Sequence, residues 1–391
     1  MDIIQLRKGV LKMLTKISME NFKSFKYPTT IDLRNTNYKI LEKTNVSEDG
    51  ILKGAIFVGG NAAGKTNIIL ALRLLLDLLF KEKLINIGVY RCLFSKDTNI
   101  KLNYEFDIEG NIIEYKIEYE GLRKFLVEKL LLNGEIIVDR IGQSGKSSIT
   151  ENPVHENLDH QTLLLRTIYF NTKFNNEPIL RKWFDYLINS VYLDASIRIR
   201  SSAGINHLDI LDYLDKNGVN DINNFFTEYN FDQSIEYSEK SQGNITSIDM
   251  EGEKDIFFKR KGIGEPIPYV WESLGNRNLL NMLPSFFQVI KNGGMLIIDE
   301  FSSAFHNELE ELLIRYFMEK SNRAQIFLVS HSTNLLSNTI FRPDQEYSVE
   351  FRGSQGSTIN RFSNDRPREA QNIEKMYNSG VFGGKPEYRY E

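Results

Sequence analysis

At 391 residues and 45.3 kDa the chain is long enough to bury a large core without help from metals or disulfides. Its formal net charge of -4, from 48 Lys+Arg against 52 Asp+Glu, excludes a global basic field for holding nucleic acid. Cys92 is the single cysteine, which excludes an internal disulfide and a cysteine-based zinc cluster and makes a reducing cytoplasm the expected location.

The opening MDIIQLRKGVLK has no secretory leader pattern, and Met13, where a strand pattern begins, is the expected native start. LTKISMENFKSFKYPTTIDL, residues 14–33, predicts two short strands around a turn, with Ile17, Met19 and Phe22 on a half-buried face. Residues 53–58 predict a buried strand that runs into GGNAAGKTN, followed by a helix over 66–80. This helix is apolar on most of its circumference, as expected for one packed between layers. Its apolar run ILALRLLLDLLF is broken by Arg73 and Asp77 and is too short to span a bilayer, so no membrane contact is expected.

Residues 101–141 change to alternation, with Leu102, Tyr104, Phe106 and Ile108, a turn at Glu109-Gly110-Asn111, then Ile113, Tyr115, Ile117 and Tyr119. This predicts an antiparallel meander. Residues 142–160 are polar and read as loop. From 176 to 250 the pattern is helical and interrupted, and 6 Lys+Arg against 12 Asp+Glu leave a local balance of -6. An acidic module is a poor DNA clamp; it reads as a helical insertion packed on the core or as a docking surface for a partner protein. The last third returns to α/β order, with a helix over 277–291, the strand MLIIDE, a helix over 308–318, the strand QIFLVSH and strands near 346–351. Strand, helix, strand at this spacing predicts a parallel crossover, so both ends of the chain are expected to build one sheet.

Gly59-x4-Gly64-Lys65-Thr66 satisfies the P-loop pattern, with Gly60, Asn61, Ala62, Ala63 and Asn67 completing the loop and its exit. Glycines let successive N–H groups turn onto phosphate oxygens, Lys65 bridges the outer phosphates and the Thr66 hydroxyl ligates Mg²⁺. MLIIDEF supplies a buried strand ending in carboxylates, with Asp299 placed to hold Mg²⁺ and Glu300 to activate an attacking water. Ser273 and Gly275 in ESLGNRNLL precede that strand, and His331 ends the next one. Each is weak by itself, since Ser-x-Gly is ordinarily a helix cap and a lone histidine ordinarily structural. In this order they look like the signature motif and switch histidine of ABC-type ATPases.

ENFKSF, GGNAAGKTN, ESLGNRNLL, GGMLIIDEFSSAFH, FLVSHS, FRPDQEYSVE and YNSGVFGGKP together resemble the ABC-like "AAA" ATP-binding proteins of the OLD/RecF/SMC-like group, and within it the stand-alone RloA/AbiL-like ATPases of bacterial defence operons. The resemblance covers roughly residues 14–141 and 269–386. It implies an α/β, ABC-type P-loop ATPase head with a mixed sheet core, an antiparallel meander and a helical insertion. It divides the chain into an ATPase lobe over 1–175, the acidic insertion over 176–250 and a second lobe over 251–391. It further implies ATP and Mg²⁺ as cofactors and a homodimer or higher homo-oligomer with shared sites. In that dimer Ser273 and Gly275 of one protomer face Lys65, Thr66, Asp299 and Glu300 of the other, His331 senses the terminal phosphate, and residues 303–306 match the D-loop. Lys23 stands where relatives often carry Arg near the nucleotide.

Departures bear on function. Asn276 replaces the usual Thr, and no glutamine between 66 and 141 offers a Q-loop residue. After His331 there is no Glu with Asp-x-Asp array for a TOPRIM nuclease, and no heptad run for an SMC coiled coil. The function that the resemblance implies is an ATP-driven switch that holds or releases a separate effector, a nuclease or toxin, in anti-phage defence. The alternative is a RecF/SMC-like DNA-binding ATPase of DNA repair, drawing on Arg198, Arg200 and residues 259–261. A transporter subunit, the third reading, fits neither the ENFKSF start nor the tail.

Overall fold

The computed structural model describes residues 12–121, 123–195, 199–202, 209–238, 254–303 and 305–386. Two compact units result, one of Met1–Gly204 with Val289–Glu391 and one of Ile205–Gln288.

In the larger unit β1 (Lys12–Glu20) and β2 (Thr29–Asp32) pair antiparallel, followed by a short helix α1 (Glu42–Asn45), the strand β3 (Gly54–Gly59) and helix α2 (Lys65–Phe80). The meander follows as β4 (Asn99–Ile108), β5 (Asn111–Glu120), β6 (Phe125–Leu132) and β7 (Glu135–Ile141), and continues through β8 (Ser144–Ser147) and β9 (Val154–His155). These strands form an eight-stranded sheet in the order β2-β1-β4-β5-β6-β7-β8-β9. Residues 142–160 are thus not simply loop. The inward positions of β8 are Gly145 and Ser147, so the strand has no apolar alternation to read.

Helices α3 (Leu164–Thr172) and α4 (Pro178–Ile188) then lead into β10 (Val191–Asp194) and β11 (Ile199–Ser202). Residues 176–195 and 199–202, read from the sequence as the start of the insertion, group with the larger unit. The cause is the apolar face of α4, whose Leu180, Trp183, Phe184, Tyr186 and Leu187 are buried in that unit's core.

The smaller unit contains α5 (Ile210–Asn217), α6 (Asn220–Glu228) and a three-stranded sheet of β12 (Gln233–Ser238), β13 (Asp255–Arg260) and β14 (Ile267–Pro268). It is therefore mixed rather than purely helical. Phe225 and Phe226 of α6 pack on Phe231, and with Ile235 and Phe258 they are buried.

Helix α7 (Leu274–Asn292) carries the chain back to β15 (Gly294–Asp299), α8 (Asn307–Lys320), β16 (Ala324–Val329), β17 (Glu346–Phe351), β18 (Ser357–Arg361) and α9 (Ile373–Asn378). The second sheet has the order β11-β10-β15-β16-β3-β17-β18. Its five central strands run parallel and its two edge strands antiparallel. Both ends of the chain do build this sheet, with β3 inserted between β16 and β17. Helix α2 lies between the two sheets. Its Ala71 carbonyl accepts a hydrogen bond from Tyr104 of β4 at 2.7 Å, and its apolar residues join a core shared with β15 and β16. Largely apolar central strands such as β3 and β15, and a helix apolar on most of its circumference, are what such layering demands. Among the described residues no helix is long and apolar enough to cross a membrane.

Candidate nucleotide site

Because β3, β15 and β16 are parallel, the three motifs that follow them emerge on one edge of the sheet, the usual place for a ligand in such sheets. Between β3 and α2, Gly59 (φ 152°) and Gly64 (φ 108°) hold backbone conformations that L side chains avoid. A Cβ on Gly59 would lie 2.3 Å from the Val349 carbonyl oxygen, and one on Gly64 would lie 2.4 Å from Ser357 Oγ and 2.5 Å from Ser24 Oγ. Both glycines are therefore required by strands that reach the loop from the rest of the fold.

Lys65 opens α2 and is buried, its Nζ donating to the carbonyls of Gly59 and Gly60 at 3.0 Å each. Burial lowers its ammonium below the usual range, while Glu300 and Asp299 pull it back up. Thr66 Oγ1 donates to Asp299 Oδ1 at 3.1 Å, joining the helix start to the end of β15. The Asp299 carboxyl is raised to about 6, chiefly by burial.

Were β15 to continue, alternation would send Glu300 to the face opposite Asp299. Its φ of 54° instead turns the chain left-handed, a costly conformation outside glycine that clusters at functional sites. Glu300 Oε1 then stands 3.5 Å from His331 Nε2, and the His331 N–H donates to Ser302 Oγ at 3.1 Å. Residues 61–67, Glu300 and His331 line one open groove of about 480 Å³.

This donor set fits a magnesium-bound nucleoside triphosphate. A hydroxyl and a carboxylate in contact are the hard oxygen pair Mg²⁺ takes, and a buried carboxyl held near 6 is one that a cation would relieve. The Lys65 ammonium has neutral carbonyls as hydrogen-bond acceptors where a phosphate would be stronger.

Ser273 and Gly275 belong to the smaller unit. Ser273 is exposed; its N–H donates to Glu272 Oε1 at 2.6 Å and its Oγ accepts the Asn276 N–H at 3.3 Å. Glu272, buried, also accepts from Arg260 at 2.5 Å and from Asn276 Nδ2 at 3.2 Å. Asn276 exchanges further bonds with Gln233, so the departure from Thr is used inside the unit. Among the described residues a Cβ on Gly275 would meet nothing within 4 Å. Lys23 is not a groove residue: its Nζ donates to the Val89 carbonyl at 3.2 Å and lies 4.6 Å from the Tyr90 ring centre. In the D-loop stretch, Ala304 lies outside the described residues and His306 caps α8. Of the cations singled out for DNA, Arg198 lies outside the described residues, Lys259 pairs with Glu236 at 2.7 Å and Arg260 with Glu272.

A family profile described as "AAA domain, putative AbiEii toxin, Type IV TA system" (AAA_21) matches residues 55–337, from β3 through the P-loop and β15 to just beyond His331. The chain belongs to this AAA family. It is therefore a P-loop ATPase-type protein. No curated protein matches the AAA_21 chain by sequence. Among solved structures, the SMC head domain from Thermotoga maritima is 15% identical, with 88% of this chain and 97% of that chain covered and a TM-score of 0.49. An SmcHead bound to the C-winged helix domain of ScpA is 13% identical over 88% and 96%, with a TM-score of 0.48. An Smc head with an extended coiled coil, bound to the C-terminal domain of ScpA derived from Pyrococcus furiosus, is 13% identical over 89% and 96%, with a TM-score of 0.44.

Several residues around the AAA_21 site were not evident from sequence. Ser357 Oγ donates to the Ala63 carbonyl at 2.6 Å and shares a hydrogen bond with Ser24 Oγ at 2.7 Å, and Asn67 Nδ2 donates to Ser24 Oγ at 2.8 Å. These three side chains brace the P-loop from behind. Ser24 stood in the quoted ENFKSF; Ser357 had no signal. Asp194 is register partner to Asp299, and the N–H of the following Ala195 donates to the Asp299 carbonyl at 3.0 Å. Here a signal existed, since VYLD repeats the pattern of an apolar run ended by a carboxylate that marked IIDE. Tyr192 OH reaches Asp299 Oδ2 at 3.5 Å, and its ring lies 4.4 Å from the Arg73 guanidinium.

Proposed function

We propose that this AAA_21 chain is an ATP-driven dimerising switch, in the RloA/AbiL-like branch of the family, that holds or releases a separate effector in bacterial anti-phage defence. The observation that carries the reading is the convergence of Lys65, the Thr66–Asp299 pair, Glu300 and His331 on one groove at one sheet edge. The loop N–H groups from residues 61–67 and Lys65 would hold the phosphates, and Thr66 with Asp299 would hold Mg²⁺. When bound, Mg²⁺ supplies charge stabilisation to the phosphate oxygens. Glu300 is the general base: its carboxylate takes the proton from the attacking water, while His331 orients it and meets the terminal phosphate. Ser273 and Gly275 would complete the site of a second protomer. Support comes from Gly275, where no neighbour among the described residues calls for a missing side chain, as expected if close approach comes from outside the chain. The effector reading draws on the family's description.

The test is Glu300→Gln. Turnover in a steady-state phosphate assay is expected to fall by about 100-fold or more, with nucleotide binding retained and closed dimers accumulating in analytical ultracentrifugation with ATP and Mg²⁺. Unchanged turnover would remove Glu300 from the role of base.

A further inference from the structure

The tail YNSGVFGGKP has no part in the site described so far, yet it is fastened to the P-loop. Phe382 stacks on Phe362 with ring centres 3.9 Å apart, and its carbonyl accepts from Ser348 Oγ at 2.6 Å. The Gly384 carbonyl accepts two hydrogen bonds, from the Gly60 N–H at 3.0 Å and from Tyr377 OH at 3.2 Å. Gly384 itself has φ 72°, and a Cβ there would lie 2.9 Å from the Val349 carbonyl oxygen. The position accepts only glycine, and it delivers the next residue, Lys385, to the back of the loop. Helix α9, which leads into the tail, is tied to the loop after His331, where Thr333 Oγ1 donates to Glu374 at 2.9 Å.

Between tail and loop lies a second cavity of about 180 Å³, walled by Gly59, Gly60, Asn61, His331, Thr333 and Lys385 among others. It shares Asn61 and His331 with the nucleotide groove. Among the described residues no carboxylate lines it, and Lys385 is the one lining side chain that is always cationic. Lys385 Nζ donates to the Asn378 carbonyl at the end of α9. That neutral acceptor is weaker than a phosphate dianion, and lysine's flexible stem lets the ammonium change partners at low cost.

We infer that Lys385 is a second cation for the terminal phosphate and sets the preference of this site for nucleoside triphosphate over diphosphate. The inference rests on the nucleotide reading above. The two inner phosphates are served by the backbone of residues 61–67, and Lys65 reaches the outer two. A third phosphate extends past Asn61 toward His331, the rim that the two cavities share. A charge contributed from the tail side therefore acts on the triphosphate and leaves the diphosphate untouched. It would also tie the tail to the nucleotide state, because the ammonium would leave the Asn378 carbonyl when a third phosphate arrives.

The experiment uses the full chain with Mg²⁺ and compares, by calorimetric titration, a non-hydrolysable ATP analogue with ADP. Lys385→Met is expected to weaken the analogue by about tenfold, the worth of one charge-assisted hydrogen bond, and ADP by less than about twofold, while Lys385→Arg restores the preference. Equal losses for both nucleotides, or no loss for either, would overturn the role of Lys385 while leaving the nucleotide reading intact. Wild-type protein that binds neither nucleotide would instead overturn that reading and the inference with it. Should Lys385→Met fail to fold, Lys385→Gln reports the same ratio.

Discussion

Asp299 carries a burial penalty on its charge. Its carboxyl is raised from the ordinary 3.8 to about 6, first because burial penalises the charged form. The folded state therefore holds this proton more tightly than the unfolded chain. Its stabilising contribution is complete below about 4 and is lost as pH rises through about 6. Asp299→Asn keeps an acceptor for the Thr66 hydroxyl and removes the charge. In EDTA at pH 7.5 this variant is expected to be more stable than wild type by on the order of 1–2 kcal/mol after discounting for solvent screening at the groove. The gain should shrink as pH falls toward 4, and Mg²⁺ with nucleotide should raise the melting temperature of wild type but not of the variant. Calorimetric melting across pH reads both effects. A wild type and a variant that melt together at every pH would show that Asp299 carries no such penalty.

At the level of single elements, helix ends are closed by residues far away in sequence. Helix α3 has no cap of its own. Its first N–H groups, those of Leu164 and Leu165, donate to the fully buried Glu128 of β6 at 2.7 and 2.9 Å, and Tyr115 OH adds a third bond at 2.7 Å. At the other polarity, Lys53 Nζ donates to the carbonyls of Met318 and Ser321 at 3.0 and 2.5 Å, where α8 ends. A cation suits a helix C-terminus and a carboxyl a helix N-terminus. Glu128→Ala would leave two buried N–H groups and a tyrosine hydroxyl without partners, and is expected to cost roughly 2–4 kcal/mol. Urea denaturation should show a lower midpoint with an unchanged slope, while turnover per folded molecule stays near wild type. A lost turnover at full folding would mean that α3 takes part in the chemistry.

For the whole molecule the central question is whether sites are completed between copies. A two-fold dimer of the proposed kind contains two composite sites, each with Lys65 from one protomer and Ser273 from the other. Ser273→Arg and Lys65→Ala should each abolish turnover. Mixed in equal amounts they should recover about a quarter of wild-type activity, since half the dimers are mixed and each of those holds one intact site. No recovery on mixing, with both variants folded, would argue for sites complete within one chain. The same measurement bears on the DNA alternative, for which the local basic patch is already depleted by the pairing of Lys259 and Arg260 with acidic neighbours.

The strand, glycine loop and apolar helix from β3 to α2, the run ending in Asp299-Glu300 and the alternating meander were all legible in the amino-acid sequence. Each depends on local rules: glycine where φ is positive, full apolarity where a strand is covered on both faces, a period of two where it is covered on one. What the chain could not reveal by itself depends on contacts between distant residues. The brace behind the P-loop joins Ser24 to Ser357, and the docking of the tail joins Gly60 to Gly384. The polar strand β8 has no apolar rhythm and exists only because β7 offers an edge to pair with. The left-handed turn at Glu300, which sets it beside His331, is a strained conformation that only the surrounding packing can hold. Local propensity thus determined which motifs exist, and tertiary packing decided which of their side chains meet, because a residue's direction in space is set by neighbours that sequence distance does not predict.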